Sequence, residues 1–479
     1  MLCIRDAASA GTRWLAIATL IGLAAALPAA AQQPIVSRPP SSRAEIHLTF
    51  APIVKEAAPA VVNVYSRRVV QTRAPIFNDT LMRQFFGNAF PLTVPRQRVL
   101  NSLGSGVILD PSGLIVTNDH VIKDAQEISV VLSDRREFPA KILLADEHLD
   151  LAVLKINVPG EKLPVLPIDD SDKLEVGDLV LAIGNPFGVG QTVTSGIVSG
   201  LARTGTGINE FGSFIQTDAP INPGNSGGAL VDMDGALIGI NTAIFSESGG
   251  SVGIGFAIPT GLVRSVLYAV QHGEHNVQQP WLGLEGKGVN ADDATKLGLP
   301  RPGGVLVDTV TAGGPAAKAG IATGDVVLAV DGHAIEDPEA LRFRLATHHV
   351  GSSAEFSVWH DGHAHAATVA LIAPPEEPPR DITLLEGREP LAGASVGNLN
   401  PAFNNELSLP QTLRGVVVAA VTPGSTAAQL GLRRGDILAS LDRREIDTVA
   451  QLRDLLAKSG PPWALVIARG NKKFSLVVR

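Results

Sequence analysis

The second half of the chain repeats itself, and this repeat limits the possible architecture more than any other feature. Gly304-Val305 recurs as Gly415-Val416, Val310 as Val421, Ala316-Ala317 as Ala427-Ala428, and Gly320 as Gly431. Gly324-Asp325 recurs as Gly435-Asp436, Asp331 as Asp442, Ile335 as Ile446, Leu341 as Leu452 and Leu345 as Leu456. The offset stays at 111 residues with no gap. A gap-free repeat of this kind marks one supersecondary unit used twice. The unit reads as a small αβ module, with copies expected at 280–373 and 386–479. Between them, residues 374–385 begin Pro374-Pro375-Glu376-Glu377-Pro378-Pro379, a stiff polyproline spacer.

The first half follows a different rule. Short β-branched runs punctuated by turns fall at 60–65, 106–109, 114–117, 128–132, 151–156, 179–183, 229–231 and 236–241. That spacing predicts an all-β domain, barrel or sandwich, over 59–273. Residues 67–101 interrupt it with charges and Phe77, Phe85, Phe86 and Phe90, and read as a long loop. Leu262, Val266, Leu267 and Val270 have helical spacing and close the domain. Aromatics make up only 4% of the chain, so its cores must be aliphatic.

The start of the chain reads as a leader. Arg5 and Arg13 precede an apolar run from 14 to 27, Pro28 breaks it, and Ala29-Ala30-Ala31 offers a cleavage site. Residues 1–31 are therefore expected to be removed, leaving 32–58 as a flexible N-terminal segment. A retained anchor is the alternative, since 14–31 is just long enough to span a membrane. The single cysteine, Cys3, permits no internal disulfide and no thiolate metal site. A net charge of -8 without a basic cluster argues against nucleic acid as the main partner.

Three local patterns carry chemistry together. Gly224-Asn225-Ser226-Gly227-Gly228 lets the backbone turn tightly around a serine. His120 follows the run 114–117 in Thr117-Asn118-Asp119-His120-Val121, and Asp150 opens the apolar run 151–156. Each alone reads more simply as a turn, a structural histidine or a strand-edge charge. In the order His120, Asp150, Ser226 they match a known triad order. Ser226 would attack a peptide carbonyl, His120 would move the proton, and Asp150 would hold the imidazole. Backbone N–H groups of Gly224, Asn225 and Ser226 are the candidates for an oxyanion hole.

Residues 59–479 resemble the HtrA (Deg) family. The motifs are Gly104-Ser105-Gly106, Thr117–Val121, Asp150-Leu151-Ala152, Ala182-Ile183-Gly184-Asn185-Pro186-Phe187-Gly188, Thr217-Asp218-Ala219, 224–230 and 253–259. The resemblance implies a mainly β chain, with a chymotrypsin-like double β-barrel protease domain followed by two PDZ domains. It also implies an ATP-independent serine endopeptidase of the periplasm that degrades unfolded or damaged envelope proteins, with chaperone activity as a companion or rival reading. A homotrimer, or multiples of it, is the implied assembly. Asp119 departs from the family's usual Asn, and a carboxylate there would raise the pKa of His120 slightly. Ile221, Ile244 and Ile254 match the family's S1 pocket and suit small aliphatic P1 residues. The peptide-binding loops would be Trp281-Leu282-Gly283-Leu284 and Leu391-Ala392-Gly393-Ala394, taking peptide C-termini or extended segments. His333, His348, His349, His360, His363 and His365 lack the spacing of metal ligands. Neither a metal nor another cofactor is expected, and no Walker motif is present.

Overall fold

The computed structural model describes residues 49–75, 93–185, 190–203, 212–222, 224–244, 253–387, 389–407, 409–470 and 472–478. The expected leader at 1–31 lies outside the described residues, as do Phe77, Phe85, Phe86 and Phe90. Residues 53–479 form one compact unit. Within the expected flexible segment 32–58, Ala51–Ala57 forms a helix, α1. Its alanines, Lys55 and Glu56 are good helix formers.

The protease region has two lobes. The first is a seven-stranded antiparallel sheet in the order β5-β4-β1-β2-β3-β7-β6. Its strands are β1 (Val61–Pro75), β2 (Thr93–Asp110), β3 (Leu114–Thr117), β4 (Glu127–Val131), β5 (Glu137–Pro139), β6 (Lys141–Asp146) and β7 (Leu151–Lys155). One helical turn, α2 (Asp119–Ile122), follows β3. The second lobe is a closed barrel, β10-β13-β12-β11-β8-β9. It comprises β8 (Leu179–Gly184), β9 (Thr192–Arg203), β10 (Phe214–Thr217), β11 (Ala229–Val231), β12 (Leu237–Ile244) and β13 (Gly255–Pro259). The lobe cores are separate and largely aliphatic: Val62, Ile108, Ile115 and Leu154 in one, Val180, Ile215, Leu230 and Ile238 in the other. Helix α3 (Thr260–Gln271) forms where the spacing predicts one and buries Leu262, Val263, Val266 and Ala269, whereas Leu267 and Val270 are half-buried.

The stretch expected as a loop is corrected at its ends. Strands β1 and β2 pair in one unbroken register from Val61↔Val107 to Pro75↔Thr93. Residues 67–75 and 93–101 therefore form a ribbon. Arg67, Arg68, Gln71, Arg73, Arg96, Gln97 and Arg98 erase the apolar alternation by which a strand is recognised. The ladder itself needs only backbone N–H and C=O groups.

The two repeats fold alike. The first runs β14 (Leu284–Gly288), α4 (Ala291–Leu297), β15 (Val305–Val310), α5 (Pro315–Lys318), β16 (Val326–Val330), β17 (His333–Ala334), α6 (Pro338–Ala346), β18 (Ser353–His360) and β19 (His363–Ala370). The second opens with an additional strand, β20 (Thr383–Leu384). It continues β21 (Ala394–Asn398), α7 (Pro401–Glu406), β22 (Val416–Val421), α8 (Thr426–Gln429), β23 (Ile437–Leu441), β24 (Arg444–Glu445), α9 (Val449–Lys458), β25 (Trp463–Arg469) and β26 (Lys472–Val478). Matched repeat positions are core positions in both: Val305 and Val416, Ala316 and Ala427, Ile335 and Ile446, Leu341 and Leu452. Burying a Val, Ile or Leu side chain is worth roughly 1.5–3 kcal/mol, which is why these positions keep their type across the copies.

The first module docks on the protease region. Arg344 at the end of α6 holds Asp172 with two hydrogen bonds, at 2.5 and 3.3 Å. Ser265 Oγ on α3 donates to the Ala346 carbonyl (2.7 Å), and Tyr268 stacks on His349.

Candidate active site

His120 and Asp150 come from the first lobe, Ser226 from the second. His120 sits in the first turn of α2, directly after β3. Asp150 precedes β7 with a left-handed φ of 53°, a conformation Asp tolerates better than most residues. Asp146 Oδ1 accepts the His148 and Leu149 N–H groups and so shapes the turn into Asp150. Burial pushes the Asp146 carboxyl above its ordinary pKa.

His120 Nδ1 lies 2.8 and 2.9 Å from the two Asp150 oxygens, and the His120 backbone N–H donates to Oδ1 (3.1 Å). Thr242 Oγ1 donates to Asp150 Oδ2 (2.6 Å), and Asn118 Nδ2 donates to the Asp150 carbonyl (2.9 Å). A carboxylate facing Nδ1 places the ring hydrogen there and leaves the Nε2 lone pair as the proton acceptor. Asp119 is buried beside this pair. Burial, then the Asp150 charge, push its carboxyl up.

Ser226 is half-buried, and its hydroxyl donates to the Thr242 carbonyl (3.0 Å) instead of to His120. Catalytic hydrogen bonds often tighten only when substrate arrives. Thr242 thus touches both Asp150 and Ser226. Nothing in the sequence marks it, because Thr242 lies in an ordinary strand run and its neighbours in the site are far away along the chain.

The loop around Ser226 depends on glycine where the lobes meet. Gly227 has φ 82°, and a Cβ there would lie 2.1 Å from the Ser105 carbonyl oxygen. Of the three oxyanion candidates, the Asn225 N–H is already engaged, donating to the Asn222 carbonyl (3.0 Å). The expectation is corrected for Asn225: a local turn takes its hydrogen. The Gly224 and Ser226 N–H groups have no partner among the described residues.

The three isoleucines fare differently. Ile221 is 1% exposed and belongs to the second lobe's core, lying 2.8 Å from where a Gly255 Cβ would stand. Ile254 is half-buried. Ile244 ends β12, and its side chain lies outside the described residues, as do Pro186, Phe187 and Gly188.

The first peptide-binding loop is held from behind. The Trp281 N–H donates to the Ile372 carbonyl, while the Leu282 and Gly283 carbonyls accept from Ala316 and Thr311. The Leu282 and Gly283 N–H groups have no partner among the described residues. Leu284 starts β14, the edge of its sheet, and a cavity of ≈ 550 Å³ runs between β14 and α6, lined by Leu282, Leu284, Val305, Leu341 and Leu345. Leu409, Pro410 and Gln411 of the second module form its far wall, and Thr412 donates two hydrogen bonds to Glu285 (2.7 and 2.6 Å).

The second loop is closed by the chain's own segment, which corrects its reading as a peptide-binding loop. The Gly393 N–H donates to the Leu385 carbonyl (2.7 Å), Ala394 N–H to Leu391 and Ala392 N–H to Glu389. Thr383 and Leu384 pair with Val396 and Ser395 as β20, and Leu385 is buried in the module core. Here the chain's own segment lies along the edge strand.

The histidines of the first module are dispersed. His348 pairs with Asp331, His360 with Asp325, and His349 stacks on Tyr268. Among the described residues no three His, Cys, Asp or Glu side chains gather as a metal site.

Two β lobes that bring Ser, His and Asp together, followed by two peptide-binding modules, define a chymotrypsin-like serine endopeptidase with PDZ domains. Comparison with known proteins agrees: residues 104–240 match the trypsin-like peptidase domain, and 280–371 and 417–478 each match a PDZ domain. The chain is 38% identical over 437 residues to the periplasmic pH-dependent serine endoprotease DegQ of Escherichia coli K12, covering 90% of this chain and 91% of DegQ. It is 36% identical over 453 residues to the periplasmic serine endoprotease DegP of Salmonella typhimurium LT2, covering 90% and 92%. Among solved structures it resembles the HtrA-type protease AlgW with tripeptide, at TM-score 0.51 and 41% identity, covering 69% of this chain and 99% of that one. The chain belongs to the HtrA family of serine endopeptidases.

Proposed function

We propose that this endopeptidase cuts unfolded or damaged envelope proteins in the periplasm, with Ser226 as nucleophile, His120 as general base and acid, and Asp150 as the group that orients it. The observation that carries this reading is the Asp150 carboxylate on His120 Nδ1, with Thr242 joining Asp150 to Ser226. On substrate binding the Ser226 hydroxyl turns from the Thr242 carbonyl to His120 Nε2. Its proton passes to Nε2 as Oγ bonds to the scissile carbonyl carbon, and the same proton later goes to the leaving amine. The Gly224 and Ser226 N–H groups meet the developing oxyanion, a contribution of about 3 kcal/mol per donor. Water then repeats the sequence to release the acyl group. Substrate is taken from solution by the first PDZ module at the Leu282 and Gly283 N–H groups.

The slot for small aliphatic P1 residues is proposed at Ile254 and the Ile244 position, with Ile221 packed in the core behind it, and no Asp or Glu stands at these three positions to pair with Lys or Arg. Names of the relatives place them in the periplasm, which fits removal of residues 1–31. The domain division is the protease region at 59–273, PDZ domains at 280–373 and 386–479, and a linker at 374–385. A holding activity alongside proteolysis is favoured by one observation: the Ser226 hydroxyl rests on Thr242 while the first PDZ groove stands open. A trimer, or a multiple of it, is the assembly proposed from the family. The test is digestion of casein by the wild type and by Ser226→Ala, with cut sites read by mass spectrometry. Activity lost in the variant and cuts mainly after Val, Ile or Ala are expected. Residual cleavage by the variant would overturn the nucleophile, and cuts mainly after Lys, Arg or Phe would overturn the pocket.

A further inference from the structure

We infer that Ser105, on β2 of the opposite lobe, is a positioning residue that sets the backbone of the nucleophile loop. This rests on the reading of Ser226 as nucleophile. Ser105 is fully buried. Its Oγ donates to the Gly224 carbonyl (2.6 Å) and accepts the Asn185 N–H (2.8 Å). Its backbone N–H donates to the Ser226 carbonyl (2.8 Å), and its own carbonyl accepts Thr117 Oγ1 (2.7 Å). Every polar group of Ser105 is therefore used, and two of the bonds hold the carbonyls on either side of Asn225.

Those carbonyls belong to the same two residues whose N–H groups are left for the oxyanion. Gly224 has φ 98°, a region open to glycine with little steric restraint, so nothing within the residue stops its peptide planes from rotating. A fixed donor on Ser105 supplies the restraint. The flanking glycines make the approach possible. A Cβ on Gly104 would stand 2.6 Å from Val121 and 3.2 Å from the Ser226 carbonyl oxygen, and one on Gly106 would stand 2.8 Å from Ile115. The Gly-Ser-Gly run is thus a bare strand segment pressed against the nucleophile loop, with one hydroxyl left to grip it. A hydroxyl also suits this place chemically, since it can donate to Gly224 and accept from Asn185 at once.

The test is Ser105→Ala in the full chain, with Ser105→Cys as a second variant that keeps the shape but donates weakly. Two rates are measured: turnover of a fluorogenic peptide, and labelling of Ser226 by diisopropyl fluorophosphate, which needs the nucleophile loop but little of the peptide-binding cleft. Because an oxyanion donor is worth about 10²–10³ in kcat and here is misplaced instead of removed, a fall of roughly 10–100-fold is expected in both rates, with KM within about threefold. A folded variant with kcat within threefold of wild type would overturn the inference. So would a raised KM at unchanged kcat, which would make Ser105 part of the cleft, or loss of the folded state in both variants, which would make it a folding residue. Ser226→Ala run in parallel separates the two readings: activity surviving there refutes the nucleophile, whatever Ser105 does.

Discussion

In the first PDZ module β14 is the edge of its sheet, and a cavity of ≈ 550 Å³ runs beside it. In the second, the corresponding strand β21 is already paired with β20, and the Leu385 carbonyl takes the Gly393 N–H. The modules share strand order, core positions and the bonds that brace the loop from behind. Gly283 and Gly393 carbonyls accept from Thr311 and Thr422, and Leu282 and Ala392 carbonyls from Ala316 and Ala427. What separates them is a single stretch of linker laid along one edge. An unpaired strand edge is a template for any extended chain, and the second module satisfies that template from within.

The comparison breaks most sharply at the two loop glycines. Gly283 has φ 72°, and a Cβ there would lie 3.0 Å from the Trp281 ring. A β-branched residue at such a φ is a severe outlier. Gly283→Val is expected to weaken binding of a labelled peptide with an apolar C-terminus by roughly 100-fold, about 2.7 kcal/mol, read by fluorescence anisotropy in the Ser226→Ala background. Gly393→Val, whose Cβ would stand 2.2 Å from Ser425, should lower the melting temperature and leave that affinity within threefold. Equal losses of affinity would mean that both modules bind.

Leu385 tests the closure itself. It is 4% exposed in the second core, and Leu→Ala in a core costs about 2–5 kcal/mol. Leu385→Ala should destabilise the second module by that order in chemical denaturation and raise peptide stoichiometry by calorimetry from one to two per chain. A destabilised protein that still binds one peptide would show that the linker only packs and does not block.

The smallest expected difference is in pH response. In the first module the buried Asp325 pairs with His360 (2.5 Å); in the second the matched Asp436 pairs with Arg469 through two bonds (2.6 and 2.7 Å). The hydrogen bond to Asp325, with its charge and that of Asp361, raises the His360 pKa above its ordinary value. A raised histidine pKa means stabilisation fully present below about pH 6.5 and lost as pH rises through the folded-state value. The first module should therefore melt a few degrees lower at pH 9 than at pH 6, while the guanidinium pair of the second keeps its charge throughout. His360→Arg should flatten the first module's profile. A pH dependence that survives this change would belong to other groups, His348 on Asp331 and His333 near Asp172 among them.

Sequence alone determined what is local or periodic. The 111-residue repeat announced two copies of one module, the helical spacing at 262–270 gave α3, and short motifs marked His120, Asp150 and Ser226 in their strand and turn settings. The ribbon ends at 67–75 and 93–101 were not legible, because charged side chains hide a strand whose pairing is purely backbone. Tertiary structure decided the rest. Thr242 reached Asp150 across 92 positions, Ser105 reached Gly224 across 119, and Arg344 reached Asp172 across 172. It also decided that Leu385 fills the second loop while the first stays open, although the loop sequences differ little in kind. Local pattern fixes a residue's backbone habit and the face it buries. Which distant donor meets which acceptor depends on how the lobes and modules pack, and no spacing along the chain encodes that.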